Sequence, residues 1–133
     1  SFSDPTPGSG LRVLLVEDNT VNQMVAGHLL EGLGCEVDIA GNGQEALVMT
    51  RDFHYDMVFM DCRMPVMDGY EATRRLRTQP SGQAMPVIAL TANAMHGDRG
   101  RCLEAGMDDY LSKPIVADAL HRMVTKWRSC GQP

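Results

Sequence analysis

The sequence predicts an α/β fold: a three-layer α/β/α sandwich around a five-stranded parallel sheet. Three observations predict it. Short, continuously apolar runs recur along the chain, longer stretches with apolar residues at helical spacing alternate with them, and the runs end in polar residues of distinctive chemistry. Runs without polar alternation read as strands buried on both faces, the condition of a parallel sheet covered by crossover helices.

The first ten residues, SFSDPTPGSG, carry little to bury and read as a flexible linker. The first strand spans residues 11–16, and VLLVEDN (13–19) carries it into an acidic pair. Residues 19–33 form the first helix, with Val21, Met24, Val25 and Leu29 on one face and Gly34 ending it. Further strands are expected at 36–40, 57–61, 87–90 and 110–112, and helices at about 43–53, 70–77, 94–105 and 116–128. The last helix aligns Val116, Leu120, Met123, Val124 and Trp127 in one stripe, a packing pattern in which the Trp serves the core. Five such units with right-handed crossovers lead to a flavodoxin-like strand order 2-1-3-4-5. The domain then occupies residues 11–128, with 129–133 as a tail.

The 133 residues suffice for one core, and no DNA-binding or catalytic output module is expected within them. A net charge of −5 argues against whole-surface attraction to nucleic acid or anionic membrane. No apolar run approaches the roughly 20 residues of a membrane span, and the amino terminus lacks a signal-peptide pattern. A soluble, cytoplasmic protein is expected. Cys35, Cys62, Cys102 and Cys130 form no C-x-x-C pair and are expected to be free thiols; His28, His54, His96 and His121 show no H-E-x-x-H arrangement and are expected to be solvated or packing residues.

In a parallel sheet, ligands gather at the carboxyl ends of the strands. Those ends carry Glu17 and Asp18, Asp61, Thr91 and Lys113. Each acidic residue alone could be a helix cap or turn residue: Asp18 or Asn19 could cap the first helix and Asp68 the third. Together they are three carboxylates, a hydroxyl and an ammonium. Clustered carboxylates repel unless a cation joins them, and all-oxygen ligands suit Mg2+. Lys113 suits a phosphoryl oxygen, Thr91 can donate to one, and a carboxylate can itself become an aspartyl phosphate.

With VLLVEDN, MDCRMPVMDG, VIALTANAM and DDYLSKP in this order, the chain resembles the receiver domain of two-component response regulators over residues 11–128. The wording VNQMVAGHLLEGLG, MDCRMPVMDGYEAT and AGMDDYLSKPI is most similar to receivers of hybrid sensor histidine kinases. The resemblance implies that Asp61 accepts a phosphoryl group from phosphohistidine, and that Glu17, Asp18, Asp61 and the backbone carbonyl of Arg63 hold Mg2+. It implies that Lys113 contacts the phosphoryl group, that Thr91 hydrogen-bonds it after transfer, and that Tyr110 is the switch aromatic. The Lys113–Pro114 peptide is expected to be cis. The face of the fourth helix, fifth strand and fifth helix, near Met95, Tyr110 and Ala119, would carry the output. Arg63 and Asn93 occupy positions that tune phosphoryl lifetime, and Glu17 stands where many receivers have Asp.

The expected partner is a histidine kinase or histidine phosphotransfer domain, with no nucleic acid or membrane contact and a monomeric isolated domain. The domain itself would promote only its own phosphorylation and dephosphorylation, as the cytoplasmic part of a longer kinase chain. Two alternatives compete. A haloacid-dehalogenase-type phosphatase needs a second aspartate two positions after the nucleophile, where this chain has Arg63. A phosphorylation-independent binding module would have lost Asp61, Lys113 or an acidic-pair residue, and none is lost. A histidine phosphotransfer domain would lack strands, and a flavodoxin would need a phosphate loop where this chain is acidic.

Overall fold

Five strands, β1 (Arg12–Val16), β2 (Glu36–Ala40), β3 (Met57–Asp61), β4 (Val87–Thr91) and β5 (Asp109–Ser112), pair in parallel in the order β2-β1-β3-β4-β5. They alternate with α1 (Thr20–Gly32), α2 (Gly43–Asp52), α3 (Gly69–Leu76), α4 (Arg99–Ala105) and α5 (Ala117–Arg128). The computed structural model describes residues 10–62, 67–79, 85–92, 99–113 and 115–128. Layer order and strand order are those expected from the alternation.

The pleat sends successive side chains to opposite faces. Val13, Leu15, Met57, Phe59, Ile88 and Leu90 therefore pack with Ala26 and Leu30 of α1 and Leu120 and Val124 of α5. Their neighbours Leu14, Val16, Val58, Met60, Val87 and Ala89 pack with Ala46, Ala72, Leu76, Cys102 and Ala105 on the side of α2, α3 and α4. The central strands β3 and β4 are buried throughout, their terminal Asp61 and Thr91 included, whereas the edge strands β2 and β5 are only partly covered.

Helix boundaries follow local chemistry. The side chains of Asn19, Asn42 and Asp68 accept the backbone N–H groups of Asn22, Glu45 and Glu71 at 2.9–3.0 Å and cap α1, α2 and α3. Asn19, not Asp18, thus caps the first helix, and Asp68 caps the third as its position suggested. Gly34 takes φ 96° after α1, a left-handed conformation that L side chains adopt at a cost.

Two apolar stripes depart from the sequence pattern. Val21, Met24 and Val25 share a face of α1, but that face is turned to solvent, at 64%, 72% and 49% exposure. The sheet is met instead by the small Ala26 and Gly27 and by Leu30. Helical spacing groups residues on a face without stating which neighbour it meets, and small residues let α1 approach the sheet closely. Val116 also lies outside the packed stripe: it is exposed and precedes α5, accepting the Leu120 N–H at 3.1 Å. The expected start of the fourth helix, at residue 94, falls outside the described residues.

Candidate active site

Strand register delivers the polar residues to one edge. Val16 is level with Met60, Asp61 with Leu90 and Thr91 with Ser112. Three bonds extend the ladder past the strand ends: Glu17 N–H to Ala40 O at 3.0 Å, Cys62 N–H to Leu90 O at 3.1 Å and Lys113 N–H to Thr91 O at 2.8 Å. Glu17, Asp61, Thr91 and Lys113 are therefore set by sheet hydrogen bonds, with Asp18 immediately beyond.

The three carboxylates Glu17, Asp18 and Asp61 offer oxygens within 4.8 Å of one another. Glu17 and Asp61 are buried, and Asp18 is exposed at the mouth. The ammonium of Lys113 lies 3.1 Å from Asp61 Oδ1 and 3.5 Å from Glu17 Oε1. Glu17 Oε2 accepts the Asn19 N–H at 3.2 Å, and Gln23 Nε2 donates to the Glu17 carbonyl at 2.6 Å, tying the acidic pair to α1. Among the described residues, the buried Glu17 Oε1 has no hydrogen-bond donor.

That deficit shows in the titration. Burial, with a smaller contribution from the neighbouring Asp61, pushes the Glu17 carboxyl up to about 6, against the Asn19 N–H that favours the anion. Burial works to lower the Lys113 ammonium, but its hydrogen bond to Asp61 and the attraction of Asp61 and Glu17 outweigh it and raise it. One lysine thus leaves the carboxylates under-compensated. A hard divalent cation fits this set: all donors are oxygen, they converge, and one buried oxygen has no hydrogen-bond partner among the described residues.

The remaining expected residues are placed as follows. Thr91 is buried at the end of β4, and Tyr110 is half-buried on β5, packed toward the layer of α2, α3 and α4. Ala119 packs against the opposite core layer. Arg63, Asn93, Met95 and Pro114 lie outside the described residues. Sequence reasoning missed Gly69, whose N–H donates to Cys62 O at 3.1 Å and where any Cβ would overlap the Asp61 carbonyl oxygen. Only glycine lets α3 begin this close to the acidic strand end. The signal was present in the MDG triplet after Asp61. It also missed Gln23, which carries no motif.

Comparison with known proteins gives a consistent picture. The family profile described as response regulator receiver domain matches residues 13–125. Probable histidine kinase 2 of Oryza sativa is 42% identical over 135 residues, covering 86% of this chain and 13% of the relative. Sensor histidine kinase GacS of Pseudomonas protegens is 42% identical over 119 residues, covering 87% of this chain and 13% of its own length. The chain therefore spans about an eighth of these curated relatives. Among solved structures, the receiver domain of a Pseudomonas aeruginosa sensor histidine kinase, crystallised with magnesium coordinated in its active-site cleft, has a TM-score of 0.86 and 48% identity, covering 91% of this chain and 99% of that one. The Saccharomyces cerevisiae receiver of Ssk1, co-crystallised with the histidine phosphotransfer protein Ypd1, has a TM-score of 0.83 and 32% identity, covering 92% of this chain and 91% of that chain.

Proposed function

This chain belongs to the response regulator receiver domain family and is a receiver domain of two-component phosphorelays, and on that premise we propose that its Asp61 is the phosphoryl acceptor. The observation that carries the assignment is the buried Asp61 carboxylate, 3.1 Å from the Lys113 ammonium and clustered with Glu17 and Asp18 at the carboxyl edge of the sheet.

In the proposed step an Asp61 oxygen attacks the phosphorus of a phosphohistidine. The P–N bond breaks, the imidazole leaves with its electron pair and takes a proton, and an acyl phosphate forms. Such a transfer is loose and demands alignment and charge neutralisation more than acid–base catalysis. Lys113 supplies a fixed positive charge beside the acceptor. Glu17, Asp18 and Asp61, with the Arg63 carbonyl, would hold Mg2+, which when bound neutralises charge on the phosphoryl oxygens. Thr91 would then donate to the new phosphoryl group, and Tyr110, half-buried on the adjoining strand, would repack with it. The bias between the two arrangements is the differential affinity of Thr91 and Lys113 for the added dianion.

We place this domain within a longer kinase chain, on the cytoplasmic side, with a histidine phosphotransfer or kinase domain as donor. Among the described residues no helix is long and apolar enough to cross a membrane. The solvent-facing stripe of Val21, Met24 and Val25 offers the donor an apolar landing beside the acceptor. A cavity of about 480 Å³ continues from Val25 and Ala26 past Ile115 to Glu17 and Lys113. The test is phosphorylation of the Asp61→Asn variant by a labelled donor or by acetyl phosphate with Mg2+. Loss of label with an unchanged fold is expected, and undiminished label would move the acceptor elsewhere.

A further inference from the structure

Cys62 and Cys102 come from separate elements, the residue after β3 and the middle of α4, yet their Sγ atoms are 4.0 Å apart and both side chains are buried. Cys62 follows Asp61 directly, and its carbonyl is the acceptor that closes the turn into α3 through Gly69. Tyr70 of α3 is hydrogen-bonded to the Cys62 thiol, and its ring lies 4.4 Å from the Arg101 guanidinium on α4. The thiol pair is thus the buried part of a contact joining the acidic strand end to α4. Cys35 lies in the other core layer, across the sheet from both.

We propose that Cys62 and Cys102 are a modification site: under peroxide they close to an intramolecular disulfide that ties the end of β3 to α4. One thiolate attacks a peroxide oxygen, the O–O bond breaks, and a sulfenic acid and water result. The second thiol sulfur then attacks the sulfenic sulfur, an S–S bond forms, and a second water leaves. Each sulfur gives up one electron, the peroxide takes both, and the thiol protons end in water. A disulfide needs the sulfurs at about 2.05 Å, so the pair must close by about 2 Å. Side-chain rotation and a small shift of the seven-residue α4 can supply that movement. Both thiols are buried, at 2% and 1% exposure, and are out of reach of peroxide while α4 is docked. Oxidation therefore proceeds through local lifting of α4, an opening far smaller than unfolding.

Hydrogen peroxide treatment of the purified chain, alkylation of residual thiols and non-reducing peptide mass mapping test this. The expected result is a dominant Cys62–Cys102 linked peptide, reversed by dithiothreitol and lost in both Cys62→Ser and Cys102→Ser. The same treatment in urea should scatter the pairing among all four cysteines. Amide exchange across residues 99–105 should slow in the oxidised chain. Pairing through Cys35 or Cys130 at equal yield in the native chain, or over-oxidation of Cys62 and Cys102 without a link, would overturn the proposal. So would unchanged exchange in α4 once the link has formed. None of these readouts depends on whether Asp61 accepts a phosphoryl group.

Discussion

Two charged clusters sit at opposite ends of the sheet, and they are built on opposite terms. At the amino edge of β4, Arg77 donates to Gly106 O at 2.9 Å, to Met85 O at 2.7 Å and to Asp108 Oδ2 at 2.7 Å, and that same oxygen accepts the Val87 N–H at 2.9 Å. One cation meets one anion, and the fork of the guanidinium is matched to fixed carbonyls. At the carboxyl edge, among the described residues, three carboxylates cluster around one lysine that pairs with Glu17 and Asp61, and the buried Glu17 Oε1 has no donor. The first cluster pairs its cation with an anion and fixed carbonyls, and it fastens α3 to β4 and the turn before β5. The second retains an unmet demand for positive charge, so it is the one that recruits a ligand. Local stability is sacrificed where the carboxylates gather and restored at the opposite edge.

The contrast yields testable consequences. The largest effect belongs to Asp61→Asn, where phosphorylation should fall to background while the melting curve in the absence of Mg2+ holds or rises. Arg77→Ala should behave in the reverse way. Three carbonyl or carboxylate acceptors lose their donor, so stability should drop by about 2–3 kcal/mol in denaturant unfolding, while the folded fraction still labels at Asp61. An Arg77→Ala chain as stable as the parent would mean that the two clusters do not differ as described.

Glu17→Gln probes the cost of the acidic site directly. The Glu17 carboxyl titrates near 6 in the folded chain and at 4.5 in the reference state, so between those values the folded chain holds a proton that the unfolded chain has released. Its contribution to stability is fully present below pH 4.5 and is lost as pH rises through 6. Without Mg2+, Glu17→Gln should therefore stabilise the fold by about 1–2 kcal/mol at pH 7 and have no effect near pH 4, as read from unfolding at the two pH values. An effect of similar size is expected from the metal itself: at about tenfold over its Kd, Mg2+ should stabilise the parent by about 1.4 kcal/mol. A differential melt with EDTA and Mg2+ measures this. The gain should shrink in Glu17→Gln and persist in Arg77→Ala.

Much of the site was legible before any coordinates, because each of its residues stands at the end of an apolar run and a parallel sheet brings such ends to one edge. Glu17, Asp61, Thr91 and Lys113 are of this kind. Asp18 and Asn19 were not separable from sequence, since adjacent acidic and amide residues both cap helices. The side-chain bond from Asn19 to Asn22 N decides the cap and leaves Asp18 to the cluster. Gln23 could not be found, because a glutamine one turn into a helix carries no pattern until α1 is docked.

What the sequence determined by itself was the fold class, the strand order suggested by the alternation and the identity of the residues at the strand ends, since burial of apolar runs and the pleat follow from local pattern. The tertiary structure alone decided which face of α1 meets solvent, which carboxylate oxygen lacks a donor and that Cys62 lies against Cys102. Those facts depend on how elements distant in sequence pack together, and spacing along one chain segment cannot record what another segment places beside it.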